Sequence, residues 1–319
     1  MQAFAYAHPK TLKEALGLLG PDAAPLAGGT DLISMMKDYL VSPKTVVNLK
    51  GIKELSGISK SAAGIRIGAT VTLDELSSNS DVRRELPSLV DAALGITSPQ
   101  IRNMGTVGGD LCQRPRCWYF RNGAGLLAMK DGKSLVLHGE NRYHAIFGGG
   151  PALFVSASSL GPALVALGAK VKIASAKGPR EVAAADFFVS PKDDNSREVA
   201  LQASEIVTEI VVPTGLKSAT YEVREKMALD WPLVTASVAL KMDGAKIASG
   251  NVVLGHVAPT PWHAKKASAW LAGKSIDEAA ADACGQAATD GAQPLSQNEY
   301  KIQLVRVAVK RALLAAAKA

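Results

Sequence analysis

Two short glycine turns constrain this chain more than any other feature: Leu26-Ala27-Gly28-Gly29-Thr30-Asp31-Leu32 and Gly105-Thr106-Val107-Gly108-Gly109-Asp110-Leu111. Each sets adjacent glycines beside a hydroxyl and a carboxylate, inside an apolar frame. Without a Cβ, backbone N–H groups approach an anion closely and positive φ carries no steric cost. Taken singly, such a motif also reads as an ordinary tight turn. Two of them, far apart in the chain, point to one extended anionic ligand, such as a dinucleotide pyrophosphate, gripped from two sides.

Length and composition set the outer limits. A chain of 319 residues with 47% hydrophobic content has room for two or three domains with sizeable cores and carries no disorder signature. No apolar run approaches the ~20 residues of a membrane span. The N-terminal residues Met1 to Pro9 lack the basic-then-apolar order of a signal peptide. Three cysteines make no disulfide framework, which favours a reducing compartment. A cytoplasmic protein is expected, and a complex exported as a unit to the periplasm is also compatible. The net charge of +7 is scattered, and aromatics make up only 5%, so the basic, aromatic-interleaved stripe of a nucleic-acid binder is missing.

The elements alternate as in a mixed α and β protein. Thr11 caps a helical run to Leu19, and Pro25 to Ala27 reads as a strand feeding the first glycine turn. Leu32 to Tyr39 follows as a helix, then Thr45 to Leu49 as a buried strand. Ile65 to Ala69 alternates as a strand, and Thr72 to Leu76 opens a helix with a capping-box pattern. Pro87 to Leu94 is helical. An irregular stretch from Leu111 to about Gly150 carries the aromatic cluster Trp118, Tyr119 and Phe120; a loop this long in a compact domain is usually functional or disordered. Those aromatics suit an interface or internal packing equally well. Strands are expected at Lys170 to Ala174, Glu205 to Val212, Thr220 to Lys226, Leu233 to Met242 and Ala245 to Leu254. Helices are expected from Thr260 onward, ending in an amphipathic helix from Lys301 to Lys318.

Common cofactor signatures are missing by inspection. Gly132-Lys133-Ser134 and Gly273-Lys274-Ser275 are preceded five residues earlier by Leu127 and Ser268 where a Walker loop needs glycine. No Gly-x-Gly-x-x-Gly follows a strand, and no Gly-x-Ser-x-Gly elbow occurs. The five histidines lack metal-ligand spacing. Any chemistry is therefore expected to reside in a bound cofactor.

The two turns, the second within Ser98-Pro99-Gln100-Ile101-Arg102-Asn103-Met104-Gly105-Thr106-Val107-Gly108-Gly109-Asp110-Leu111, resemble the FAD-binding segments of the medium subunits of molybdenum hydroxylases. That family includes xanthine, carbon monoxide and aldehyde dehydrogenases. Asn141 to Gly148, Gly255 to Pro261 and Asn298 to Lys301 extend the match, in the family's order, over nearly the whole chain.

The resemblance implies an α+β protein. Residues 1–215 would form a two-lobed FAD-binding domain of the vanillyl-alcohol-oxidase (PCMH) type, with lobes at about 1–55 and 56–215. Residues 216–319 would form a smaller α+β domain. FAD would lie between the lobes. Its pyrophosphate would be held by amides of Gly28, Gly29 and Thr30 in the run Leu26, Ala27, Gly28, Gly29, Thr30, Asp31, Leu32. Thr106, Gly108, Gly109 and Asp110 would close over it, with Asn103, Ile146 and Lys226 as further cofactor-binding positions. A carboxylate repels a diphosphate, so Asp110 and Asp31 suit a ribityl hydroxyl, turn ordering or a helix cap. Arg224, Lys226, Asp230 and Trp231 fall where the family approaches the flavin. A cation there would stabilise reduced flavin. The two cations also read as solvated strand charges, and Trp231 as core.

The segment Gln113 to Arg121 resembles the periplasmic aldehyde oxidoreductase subgroup, whose inserted loop carries a [4Fe–4S] cluster on cysteines. Four thiolates are the usual requirement. Here Cys112 and Cys117 stand alone before Gly150, so they are expected to be remnants of a cluster loop, with no metal on this chain.

The resemblance implies an FAD-containing electron-transfer subunit of a multi-subunit dehydrogenase. A large partner would hold the molybdenum cofactor and a small partner the [2Fe–2S] clusters. Two alternatives remain open from sequence: a stand-alone flavin oxidoreductase of the same fold, and a flavin-free scaffold subunit.

Overall fold

The computed structural model describes residues 1–318. Three separate sheets order the chain. The first is parallel, with strand Thr45–Asn48 between Ala5–Ala7 and Ala23–Leu26. Helix Leu12–Leu18 is capped by the Thr11 hydroxyl, which accepts from the Glu14 N–H, and it buries Ala15 against Val47, Ile52 and Leu55. The first glycine turn links strand Ala23–Leu26 to helix Leu32–Lys37. The sequence places that helix two residues too long, since Asp38 and Tyr39 close it and Tyr39 turns left-handed at φ 57°.

The second sheet is antiparallel, in the order Ile58–Ser61, Gly64–Gly68, Ile206–Val212, Lys170–Ser175, Gly178–Ala183. Its central strand comes last in sequence, so residues near 65 and 207 become neighbours across the irregular stretch. Helices Leu73–Ser78, Pro87–Gly95 and Gly161–Ala166 cover it and bury Leu76, Leu89 and Leu164 with Ile65, Ile173 and Ile210. The capping box is real: the Thr72 side chain accepts from Glu75 N–H, and the Glu75 carboxylate accepts from Thr72 N–H at 2.8 Å. Strands Ile58–Ser61 and Gly178–Ala183 carry no apolar alternation strong enough to show in sequence; both are exposed edges.

The third sheet pairs Lys217–Val223, Val234–Asp243, Lys246–Gly255 and Trp262–His263 antiparallel. Helix Tyr300–Lys318 lays Val305, Val309, Ala312 and Leu313 on it. Small residues let helix Glu278–Ala287 approach closely, and a Cβ on Gly285 would stand 2.4 Å from the Arg306 carbonyl oxygen. Strand Lys217–Val223 also docks on helix Pro87–Gly95, where Asp91 accepts from Thr220 N–H at 3.0 Å. The expected strand through Lys226 stops at Val223. Residues 224–231 form a bend instead.

The expected irregular stretch is partly built. It contains helix Trp118–Arg121, the two-residue strands Met129–Lys130 and Lys133–Ser134, and helix Leu135–His138. Its far end is tied to the C-terminal helix. Asn298 donates to the Asn141 and His144 carbonyls, and the buried Lys301 ammonium donates to those of Tyr143, His144 and His256 at 3.0, 3.2 and 2.8 Å. Burial brings Lys301 down to about 7.

Burial first, and the Lys301 charge second, bring His144 down to about 4 and His256 to about 3, from 6.5. The unfolded chain protonates these rings near 6.5 while the folded chain does not. Each therefore removes stability as pH falls from about 6.5 toward its folded value, on the order of 1.4 kcal/mol per pH unit. His256 sits at φ 61°, a conformation asparagine tolerates. Urea titrations between pH 7 and 4 should show that His256→Asn flattens this loss relative to the parent chain.

Candidate functional site

The first glycine turn opens into a cleft of about 570 Å³ between the first two sheets. Ala27, Gly28, Gly29, Thr30, Asp31 and Leu32 form one wall, and Thr106, Gly108 and Gly109 form another. The N–H groups of Gly28, Gly29 and Thr30 have no acceptor among the described residues. Gly29 sits at φ 74°, and a Cβ on Gly28 would stand 1.9 Å from the Met104 carbonyl oxygen. The two glycine segments thus touch, and only glycine permits the contact.

The second turn works differently from its sequence reading. The Gly108 N–H donates to the Ala69 carbonyl at 2.8 Å, and the Gly109 N–H to Thr106 Oγ1 at 3.2 Å. These amides are committed within the fold. A Cβ on Gly108 would stand 2.8 Å from that of Ala69, so the packing of the fold by itself requires glycine here.

Both carboxylates are structural. Asp110 is buried; it accepts from the Ser158 hydroxyl at 2.6 Å, from the amides of Ser159 and Leu160, and from the Gln113 side chain. Of the roles open to Asp110, the ordering of the turn is the one its bonds fill: it pins the returning chain at Ser158 to Leu160. Burial raises its carboxyl from the ordinary value, while the Ser158 bond opposes the rise. Asp31 makes no helix cap. It accepts from Arg114 N–H at 2.8 Å and pairs with Arg121 at 2.7 Å and Arg116 at 3.2 Å.

Four other sequence candidates stand apart from the cleft walls. Asn103 is exposed on helix Pro99–Met104. Ile146 is buried in the core of the third sheet, its N–H on the Val257 carbonyl. Leu26 packs its side chain beneath Gly29. Lys226 lines a second cavity of about 310 Å³, with Arg116, Trp118, Tyr143, Trp231 and His256. Trp231 is not core; it lies half open under the Arg116 guanidinium, 5.0 Å from its ring centre. Arg224 is not a solvated charge, being paired to the buried Glu222. Sequence reasoning missed Arg114 and Arg197, two cations on the cleft wall. Arg197 arrives from a loop far along the chain, with no motif to mark it.

A family model described as the FAD binding domain in molybdopterin dehydrogenase matches residues 2–215, and the CO dehydrogenase flavoprotein C-terminal domain matches 219–316. The chain belongs to the FAD-binding medium subunits of the molybdenum hydroxylases. This medium subunit is 31% identical to the carbon monoxide dehydrogenase medium chain of Afipia carboxidovorans, over 98% of this chain and 96% of that one. It is also 31% identical to the aldehyde oxidoreductase FAD-binding subunit of Escherichia coli, over 96% of each. Among solved structures, quinoline 2-oxidoreductase from Pseudomonas putida 86 superposes with a TM-score of 0.78 at 27% identity, covering 99% of this chain and 98% of that one. The α+β architecture is that of the family.

The residues present suit FAD. Free amides at Gly28 to Thr30 and the Arg114 and Arg197 cations form a donor set for a diphosphate, and the close turn contact leaves the cleft open. The residues do not suit a [4Fe–4S] cluster. Cys117 packs with Phe120, Leu126, Leu127, Ala152 and Phe154, its sulfur 3.2 Å from His144 Nε2. A cluster of this type takes four thiolates, and Cys112 and Cys117 are the two cysteines in this part of the chain.

Gly28→Ala should lower flavin affinity at least tenfold with an unchanged far-ultraviolet dichroism spectrum, because the methyl group drives the turn off Met104. Gly17→Ala, with open space around its Cβ, should bind flavin as the parent does. Flavin fluorescence titration checks both. Iron analysis of the anaerobically purified subunit should find far less than the ~4 atoms per chain of a complete cluster.

Proposed function

We propose that this chain carries FAD as the electron-transfer subunit of a heteromeric dehydrogenase. A large partner with the molybdenum cofactor would oxidise the substrate, and a small [2Fe–2S] partner would hand on the electrons. The observation that carries the reading is the row of free amides at Gly28, Gly29 and Thr30 in a cleft that Arg197 also lines, with Arg114 there paired to Glu198. When bound, FAD accepts electrons singly and holds two.

The chain's own residues would divide the work. Gly28, Gly29 and Thr30 would donate to the diphosphate, and Arg197 would balance its charge. Thr106 and Gly109 would shape the opposite wall. The aromatic cavity, with Trp231, Tyr143 and Trp118, would take the flavin ring and exclude water from it. Lys226 lines that cavity, and its ammonium would favour a ring bearing negative charge. Arg116 would join the two compartments, since it pairs with Asp31 and covers Trp231. Three free cysteines fit a cytoplasmic setting for the complex. A flavin-free scaffold would have no use for a glycine cradle opening on a cationic cleft.

Anaerobic mixing with aldehydes or purines decides between a partner-dependent and a stand-alone enzyme. The purified chain should keep its flavin absorbance near 450 nm (an approximate flavin band position,) unchanged over minutes. The assembled complex should bleach it with its own substrate. Bleaching of the isolated chain by an organic substrate would establish the stand-alone oxidoreductase instead.

A further inference from the structure

His256 stands on the wall of the aromatic cavity in a conformation that its residue type resists. Two bonds hold it there. Its carbonyl accepts from the Lys301 ammonium at 2.8 Å, and its ring Nδ1 lies 3.0 Å from Thr235 Oγ1. Between these ties the backbone is left-handed at φ 61°, which residues with a Cβ rarely adopt. Strain of that kind persists where the surroundings over-determine it, and it gathers at ligand sites.

The neighbours of the ring settle its chemistry. Burial, and then the Lys301 and Arg224 charges, hold His256 down at about 3, so the ring is neutral at pH 7 and carries one N–H. Thr235 is fully buried, and among the described residues its hydroxyl proton has His256 Nδ1 as acceptor. Nδ1 therefore accepts, and the ring N–H stands on Nε2. Nε2 is buried and has no hydrogen-bond partner among the described residues. An N–H in that state has lost water without gaining a bond, which native structures rarely leave unexplained. Nδ1 is taken by Thr235, so Nε2 is the polar atom the ring has left for the cavity. Arg116 Nε, on the same cavity, is buried and unpartnered as well. Donors without acceptors thus meet aromatic walls, with the Trp231 ring centre 6.4 Å from that of His256.

We infer that His256 Nε2–H donates a hydrogen bond to an acceptor on the flavin ring, a carbonyl oxygen or an imine nitrogen, and so raises the reduction potential of the bound flavin. The inference rests on the assignment of this cavity to the flavin ring. A planar ring with acceptors along one edge is the ligand chemistry that orphaned donors and aromatic walls recognise together. Uptake of two electrons and one proton leaves such a ring with one negative charge, and a hydrogen bond to a charged acceptor is the stronger one. A donor fixed in advance therefore binds the reduced ring better than the oxidised ring. Lys226 acts through its charge. His256 acts through one directed bond and brings no second charge beside Lys301.

The test uses the full chain loaded with FAD, titrated with a reductant against a reference dye to read the flavin midpoint potential, with the Kd for oxidised FAD measured alongside. His256→Asn tolerates the left-handed backbone and keeps an acceptor for Thr235, but its amide ends short of Nε2. His256→Gly removes the ring outright and fits the same φ. Both should disfavour reduced flavin at least tenfold relative to oxidised flavin, a midpoint about 30 mV lower. His256→Gln, whose amide reaches as far as Nε2, should restore most of that shift. Far-ultraviolet dichroism checks the fold of each variant, and either donor-free variant decides alone. A parent-level potential in the donor-free variants would overturn the proposal even if oxidised FAD bound more weakly, since lost packing shifts both forms alike. A drop in the glutamine variant as large as theirs would overturn it as well. A parent chain that binds no FAD would instead strike the flavin reading itself, a result distinct from these.

Discussion

The Asp31 carboxylate joins parts of the molecule that sequence keeps far apart. It belongs to the first glycine turn, yet its oxygens are held by the Arg114 amide and by the Arg116 and Arg121 guanidiniums at the base of the inserted stretch. Removing this partly buried acceptor would leave the Arg116 and Arg121 cations near each other without their shared counter-charge. Asp110 does the matching work from the second turn by holding Ser158 to Leu160. Each turn therefore carries its own anchor. Their carboxylates stay away from a diphosphate because both are already satisfied within the protein.

Much of this was legible in the sequence because it depended on local geometry. The glycine pairs, the Thr72–Glu75 capping box and the apolar terminal helix each express their structure within a few residues. What stayed hidden depended on distance. Arg197 reaches the cleft from across the second sheet, and nothing beside it in sequence announces that. The close approach of Gly108 to Ala69, some forty residues earlier, is likewise invisible in the motif that surrounds it. The two edge strands were missed because an edge with one solvated face has little apolar alternation to read. The burial of the Ile146 side chain in the core of the third sheet could not be read from the motif around it either.

The cysteine-bearing loop is ordered without any metal. Two cysteines are too few to hold a cluster, yet the loop is ordered by ordinary means. Phe120, Leu126, Leu127 and Phe154 form a small apolar core around Cys117, and Asn141, Asn298 and Lys301 fasten the far end to the terminal helix. Hydrophobic burial and saturated carbonyls replace coordination bonds as the source of order.

The contact between Gly28 and the Met104 carbonyl ties together two segments that lie far apart in the chain. A side chain at Gly28 would require the end of helix Pro99–Met104 to move, so neither segment changes its backbone without displacing the other. Substitutions in the two segments are therefore non-additive, because they share one contact.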